Sequence, residues 1–340
     1  MRPRVKWAVA VASAIVLFGG AGVYAATAFE DHQRRANTPS GLDEVALDSV
    51  DPGDIVFRST APGDSYGLLG SVSAADPTGR RAVSDLACDR VDATEELVSC
   101  LRTERGVTTS FRWFVYDDAL SEQWSAPLPG IPSRTRIADD SSAWVSTVFV
   151  TGHTYGASGF STATVIHGAD GTDYGNLEDF AFTVNGDPVA AADRNFWGVT
   201  FVPRTTSFYA TAASGGRTWL VRGDLADRTL VAIHDGVECP SLSPDGTTIA
   251  YKKAVDGSSP TTWVPAVLDL ASGRETVLPD DRPLDDQIEW LDDTTIIYGI
   301  AREDAPGDSD VWSIAADGSS APELLIEHAW SPSVVSGGAR

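Results

Sequence analysis

Three cysteines, Cys88, Cys100 and Cys239, are the first residues to weigh for chemistry. Cys88 and Cys100 stand 12 apart on what read as neighbouring strands, and in an oxidising compartment that spacing predicts a disulfide. Closing so short a loop stabilises by about 3 kcal/mol on the chain-entropy model. Cys239 is left over. It reads as a buried, inert thiol in an apolar setting, because no histidine or basic residue lies near it in sequence to lower its pKa. The five histidines, His32, His153, His167, His234 and His328, form no His-x-x-x-His pair, and no cysteine pair has zinc spacing. Neither a metal nor a cofactor is therefore expected. Gly-x-Ser-x-Gly, the turn that presents a hydrolase serine, is missing, and Gly156-Ala157-Ser158-Gly159 falls one residue short of it. The Asp-Gly pairs at 170, 245, 256 and 317 are turn chemistry, since no Asp-x-Asp-x-Asp-Gly calcium loop occurs. No catalytic residue is expected. The most unusual loop is 151–160, where His153, Tyr155 and Phe160 sit among glycines between two strands. Those three could line a ligand rim, or the loop could be a hairpin satisfied by its own side chains.

Charge and hydropathy place these residues in a compartment. Net charge is −23 with a pI near 4.4, and no Lys/Arg cluster exists beyond the N-terminus, which argues against a nucleic-acid partner. Residues 7–29 carry no charge and follow Arg2, Arg4 and Lys6. About 20 apolar residues suffice to span a bilayer, and the basic flank holds that end in the cytoplasm. A single uncleaved transmembrane helix is expected at 1–29, with the domain outside the cytoplasmic membrane. Ala26-Thr27-Ala28 is an acceptable cleavage site, so a signal peptide and a secreted product are the alternative. The polar residues 30–54, with Asn37-Thr38-Pro39-Ser40-Gly41 in their middle, read as a flexible stalk. Contact with anionic lipid beyond the anchor is not expected of so acidic a domain.

The elements that would position any site are strands. Ser243-Pro244-Asp245-Gly246 is a turn with a mechanism: Pro244 presets φ, Asp245 can bond its own backbone, and Gly246 accepts positive φ. A short strand at 238–242 precedes it, an alternating one at 248–253 follows, and two more end at 270 and 278. Four antiparallel strands joined this way make a β-propeller blade. The unit repeats. Tyr209, Tyr251 and Tyr298 recur at spacings of 42 and 47, and Trp219, Trp263 and Trp312 at 44 and 49, within the range of propeller blades. The fold expected is all-β, a six-bladed propeller over 55–335 with a tail at 336–340. Its first blade, built from strands at 55–59, 67–74 and 80–84, is one strand short. The segment 329–335 repeats the pattern of a first strand and should close the ring. Pro265, inside a third strand, donates nothing to a ladder and calls for a bulge or an edge there.

These residues resemble the TolB-like propeller repeat, which carries Ser-Pro-Asp-Gly between the first two strands of a blade. The match is good at Ser243–Gly246 and degenerate at Asp292-Asp293 and Pro203-Arg204. With the N-terminal anchor, and with Gly152-His153-Thr154-Tyr155, Gly159-Phe160-Ser161-Thr162, Leu177-Glu178, residues 238–246 and Ala329-Trp330-Ser331-Pro332-Ser333, the chain looks like actinobacterial TolB-like translocation proteins. That resemblance implies an envelope-facing propeller acting through protein contacts, with no catalytic residues to carry over. It departs from TolB itself in lacking room for a mixed domain before the propeller. A noncatalytic interaction scaffold is the first functional reading. An envelope carbohydrate-binding protein or hydrolase with an axial pocket is the alternative.

Overall fold

The computed structural model describes residues 40–150, 161–255, 257–258 and 260–335. The expected membrane helix, the loop carrying His153, Tyr155 and Phe160, and the tail 336–340 lie outside the described residues. By contacts the chain divides into two units. One includes Ala61–Tyr66, where the Tyr66 N–H donates to the Gly63 carbonyl (3.3 Å). The other, 42–60 together with the chain from Gly67 onward, carries six sheets.

Named from the axis outward, blade 1 is Ala329–Val334, Asp54–Ser59, Leu68–Ser73, Arg81–Ala87 and Glu44–Ala46. Blade 2 is Arg90–Ala93, Leu97–Glu104, Ser110–Asp117 and Glu122–Pro127. Blade 3 is Ile131–Ile137, Ala143–Val150, Ser161–Gly168 and Asp173–Asn176. Blade 4 runs Asn195–Phe201, Ser207–Ser214, Arg217–Asp224 and Thr229–Asp235, then Ala181–Val184 and Asp187–Pro188. Blade 5 is Glu238–Leu242, Thr248–Ala254, Trp263–Asp269 and Glu275–Val277; blade 6 is Ile288–Trp290, Thr295–Ala301, Ser309–Ala315 and Glu323–Ile326. The innermost strand of each blade touches that of the next, from blade 1 round to blade 6 and back. The fold is the expected six-bladed β-propeller.

One apolar cluster fills each seam between neighbouring blades, because each sheet has two faces and each must be buried against another sheet. Tyr298, Trp290 and Ile296 pack between blades 5 and 6, and Trp113, Trp144 and Ile137 between blades 2 and 3. The seam of blades 3 and 4 is the most aromatic, with Phe180, Phe182, Phe196, Phe208 and Trp219 in one cluster. The landmark tyrosines Tyr251 and Tyr298 are fully buried, and each hydroxyl has a carboxylate partner, Glu275 and Asp280 respectively.

The ring closes as the sequence predicts. Ala329–Val334 pairs antiparallel with Asp54–Ser59, from Ile55 opposite Val334 to Ser59 opposite Ala329. Residues 42–54 correct the expected stalk. Glu44–Ala46 joins the outer edge of blade 1 in parallel with 81–83, and Leu47 and Val50 are buried in the seam below. The apolar positions Val45, Leu47 and Val50 were too few to show a period, yet they cover an edge that would otherwise be open. Pro265 sits in a regular strand opposite Lys252. Its carbonyl accepts from Leu278, so its missing N–H faces the outer side, where the short strand Glu275–Val277 ends. That is the edge solution.

Candidate functional site

An innermost strand has one ladder edge facing the axis, and its N–H and C=O groups there need partners. Side chains of adjacent blades supply them. Ser331 and Ser333 hydroxyls accept from the Val91 and Ala93 N–H groups of blade 2 (3.3 and 3.0 Å). Asp92 Oδ2 accepts from the Ile137 N–H of blade 3 (2.6 Å), and Thr200 Oγ1 from the Leu242 N–H of blade 5 (3.2 Å). Trp290 Nε1 donates to the Ser241 carbonyl (2.9 Å), Arg90 Nε to the Ser133 carbonyl (2.6 Å), and Asp286 Oδ2 accepts from the Ser331 N–H (2.7 Å).

Alternation along a strand sends every second side chain to the axis. Arg90 and Asp92, Arg134 and Arg136, and Gln287 and Glu289 are such pairs, and they build two layers. The layer nearer the strand starts is basic. It holds Arg90 and Arg134, with Lys252 Nζ 3.0 Å from Asp285 Oδ1 and 4.6 Å from the Trp263 ring centre. Burial pushes Arg90 down to about 10, with Arg134 adding to the effect and Asp286 and Asp285 opposing it. Asp285 is 79% exposed, yet Lys252, Arg134 and Arg90 hold its carboxyl below the usual range, outweighing the opposing crowding of protein around it. Asp286 is fully buried, its carboxyl raised by burial against the pull of Arg90 and Arg134. It lies over Gly299, where a Cβ would meet Asp286 Oδ2 at 2.4 Å and the Trp330 ring at 2.5 Å.

The layer nearer the strand ends is acidic. Arg136 Nη1 reaches Asp92 Oδ1 (3.1 Å) and Glu289 Oε2, while Nη2 donates to the Ile288 carbonyl (3.0 Å). One guanidinium thus faces two carboxylates. Burial pushes Asp92 up to about 6 and Glu289 up to about 7, with Arg136 holding both back. Arg136 itself is raised, because these two acids outweigh its own desolvation. Beyond Glu289 the axis opens on Asp139, Thr200, Ser243 and Phe201, around a cavity of only about 40 Å³. A second cavity, of about 10 Å³, lies between Arg134, Thr147, Gly198, Cys239 and Gln287.

Cys88 and Cys100 are bonded, with Cα atoms 5.4 Å apart, and Cys239 is free and buried. The apolar setting expected for Cys239 is corrected. Arg134 and Cys239 line the same small cavity, so the thiol has a buried guanidinium for a neighbour. Burial works to lower the Arg134 pKa, and its neighbours, Asp285 and Asp286 among them, outweigh it. Cys239 also has φ +51°, in the left-handed region. None of the axial charges was singled out from the sequence. Their signal is a charge two residues from a second polar group on a blade's first strand, as in Arg90-Val91-Asp92 and Arg134-Thr135-Arg136.

No family model matches the chain, and no curated protein matches it. Solved structures do. TolB from Acinetobacter baumannii superposes with a TM-score of 0.57 at 14% identity, over 83% of this chain and 66% of that one. A chain of the nidogen/laminin complex superposes with a TM-score of 0.54 at 9% identity, over 84% of this chain and 99% of that one. The fold is TolB-like. At such identities the likeness extends to the fold alone, and this chain spans just under two thirds of the TolB chain it matches.

Proposed function

We propose that the protein is a noncatalytic protein-interaction scaffold of the cell envelope, anchored by its N-terminal segment with the propeller outside the cytoplasmic membrane. The observation that carries this reading is the filled axis. Small-molecule sites in proteins run to about 300–1,000 Å³, whereas two cavities on the axis, lined by described residues, measure about 10 and 40 Å³. The carboxylates an axial hydrolase would use, Asp92 and Glu289, are both engaged by Arg136. What the propeller offers instead is surface. The turns joining first to second and third to fourth strands lie on one face, as the antiparallel meander requires. That face carries Asp139, Asp245, Asp269, Asp293 and Asp317.

Cross-linking in intact cells, followed by purification of the full chain from membranes and mass spectrometry, tests the proposal. One or a few envelope proteins should be cross-linked through residues of a propeller face. Recovery of the chain from the cytosol, or turnover of an envelope glycan by the purified protein that Glu289→Gln abolishes, would overturn it.

A further inference from the structure

Resting on the scaffold reading, we infer that a cleft between blades 5 and 6 is a docking site for an extended, lysine- or arginine-bearing segment of a protein partner. The cleft measures about 530 Å³, more than ten times either axial cavity. One wall is the face of blade 5, with Thr248, Val267 and Thr276; the other is blade 6, with Trp290, Thr295 and Ala315. Its floor is therefore apolar and hydroxyl-bearing, a surface suited to the backbone and side-chain stems of an extended chain.

The rim gives the partner its charge. Asp269, Asp293 and Asp317 stand on three turns around the opening, with Arg274 the single cation in the lining. Each carboxylate is fixed through one oxygen, two of them by their own turn and the third by the facing blade. Asp269 Oδ1 accepts from the Ser272 N–H (2.7 Å), Asp317 Oδ1 from the Ser319 N–H (2.8 Å), and Asp293 Oδ1 from the Asp245 N–H of the facing blade (2.9 Å). The Oδ2 atoms of all three have no hydrogen-bond partner among the described residues. The same turn bonds, led by the Ser272 and Ser319 side chains, hold Asp269 and Asp317 below the usual carboxylate range. The rim thus presents three oriented carboxylates around the cleft, each with one oxygen free of hydrogen bonds among the described residues, and Arg274 acts on Asp269 and not on Asp317. A cationic side chain docking there meets acceptors that need no reordering, which lowers the entropic cost of binding.

The test uses the full chain in detergent and a fluorescein-labelled Gly-Lys-Gly-Lys-Gly-Lys-Gly peptide, with Glu in place of Lys as the control probe. The cleft variant is Asp269→Asn, Asp293→Asn and Asp317→Asn together; Asn keeps the turn-capping oxygen and removes the charge. A matched variant carries Asp85→Asn, Asp118→Asn and Asp187→Asn, three exposed acids on blades 1, 2 and 4. The lysine peptide should bind with an affinity that falls with salt, and the cleft variant should lose about tenfold or more while the matched variant loses about threefold or less. Equal losses in the two variants would mean diffuse attraction to an acidic protein and would overturn the site. So would binding of the glutamate peptide as tight as that of the lysine peptide. A cellular partner still cross-linked to the cleft variant at wild-type yield also overturns the cleft while leaving the scaffold reading intact.

Discussion

Blades 1, 4 and 5 meet the axis differently from blades 2, 3 and 6. In the first group the innermost strand carries one extra residue at a left-handed bulge; blade 3 also carries one, at Ser133, but with no left-handed residue. In the first group the pairings skip from Trp330 to Ser333, from Trp197 to Thr200 and from Glu238 to Ser241. The residue after the first paired position is left-handed in every case: Ser331 at φ +55°, Gly198 at +65° and Cys239 at +51°. These bulged strands contribute small polar groups, the Ser331, Ser333, Thr200 and Ser241 side chains. Blades 2, 3 and 6 have no left-handed residue there and contribute Arg90, Asp92, Arg134, Arg136, Gln287 and Glu289. The same edge problem is solved by short hydroxyls beside a left-handed bulge and by long charged side chains on strands without one. The second solution fills the axis and concentrates its charge; the first closes the ring.

The largest effect should come from removing a bulged strand outright. Truncation after Glu327 strips blade 1 of Ala329–Val334 and exposes apolar edges of the 6–1 seam. The loss should reach several kcal/mol, a large share of a typical 5–15 kcal/mol, and soluble protein should melt far lower or not be recovered. Truncation after Val335 should change nothing. Equal melting temperatures for the two truncations would show that the closing strand is dispensable.

On the charged side, Arg136→Met should cost about 3–5 kcal/mol, because it leaves two buried carboxylates without their cation. Adding Glu289→Gln should restore part of that loss. If the double variant is no more stable than the single one, the cost lies in packing rather than charge.

That charged layer is also where the sequence was least legible. The Ser243–Gly246 turn and the closing strand are local patterns, and each found its place in the fold. The aromatic landmarks did so in part: Tyr251 and Tyr298 hold matching buried positions, whereas Trp312 lies opposite Tyr298 itself and Trp219 and Trp263 lie opposite Ala212 and Ala254. Asp92, Arg136 and Glu289 are separated by 44 and 153 residues, and an alternating strand looks the same whether its polar side faces water or an axis. Only closure of the ring decides which. The parallel outer strands Glu44–Ala46 and Ala181–Val184 were hidden for a related reason, since they are three and four residues long and pair with distant strands.

A smaller effect follows from the titration of the same layer. Asp92 and Glu289 bind protons more tightly in the folded chain, at about 6 and about 7 against ordinary values of 3.8 and 4.5. The native state therefore takes up these protons first. Their contribution favours folding below about pH 4 and is lost as pH rises through 6 and 7, a change of about 1–3 kcal/mol. Chemical denaturation at pH 5 and pH 8 should show wild-type stability falling across this window, and Glu289→Gln should flatten the fall. An unchanged slope in that variant would place the titrating group elsewhere.

The smallest effect tests the equivalence of the three bulges. If residues 198, 239 and 331 occupy one repeated position, glycine should be acceptable at Cys239 because blade 4 already uses it. A non-glycine residue at positive φ is strained by roughly 1 kcal/mol, and Cys239→Gly relieves that strain. The change also discards a buried thiol and adds unfolded-state entropy, together about 1–2 kcal/mol the other way. The two should nearly cancel, so the melting temperature should move by only a few degrees. The reverse exchange is not symmetric. Gly198→Ala would place a Cβ 2.6 Å from the Cys239 Cα, so blades 4 and 5 must separate there and stability should fall by more than for Cys239→Gly. A fall of several kcal/mol for Cys239→Gly instead would mean that the thiol beside Arg134 matters in its own right, and the three bulges would not be interchangeable.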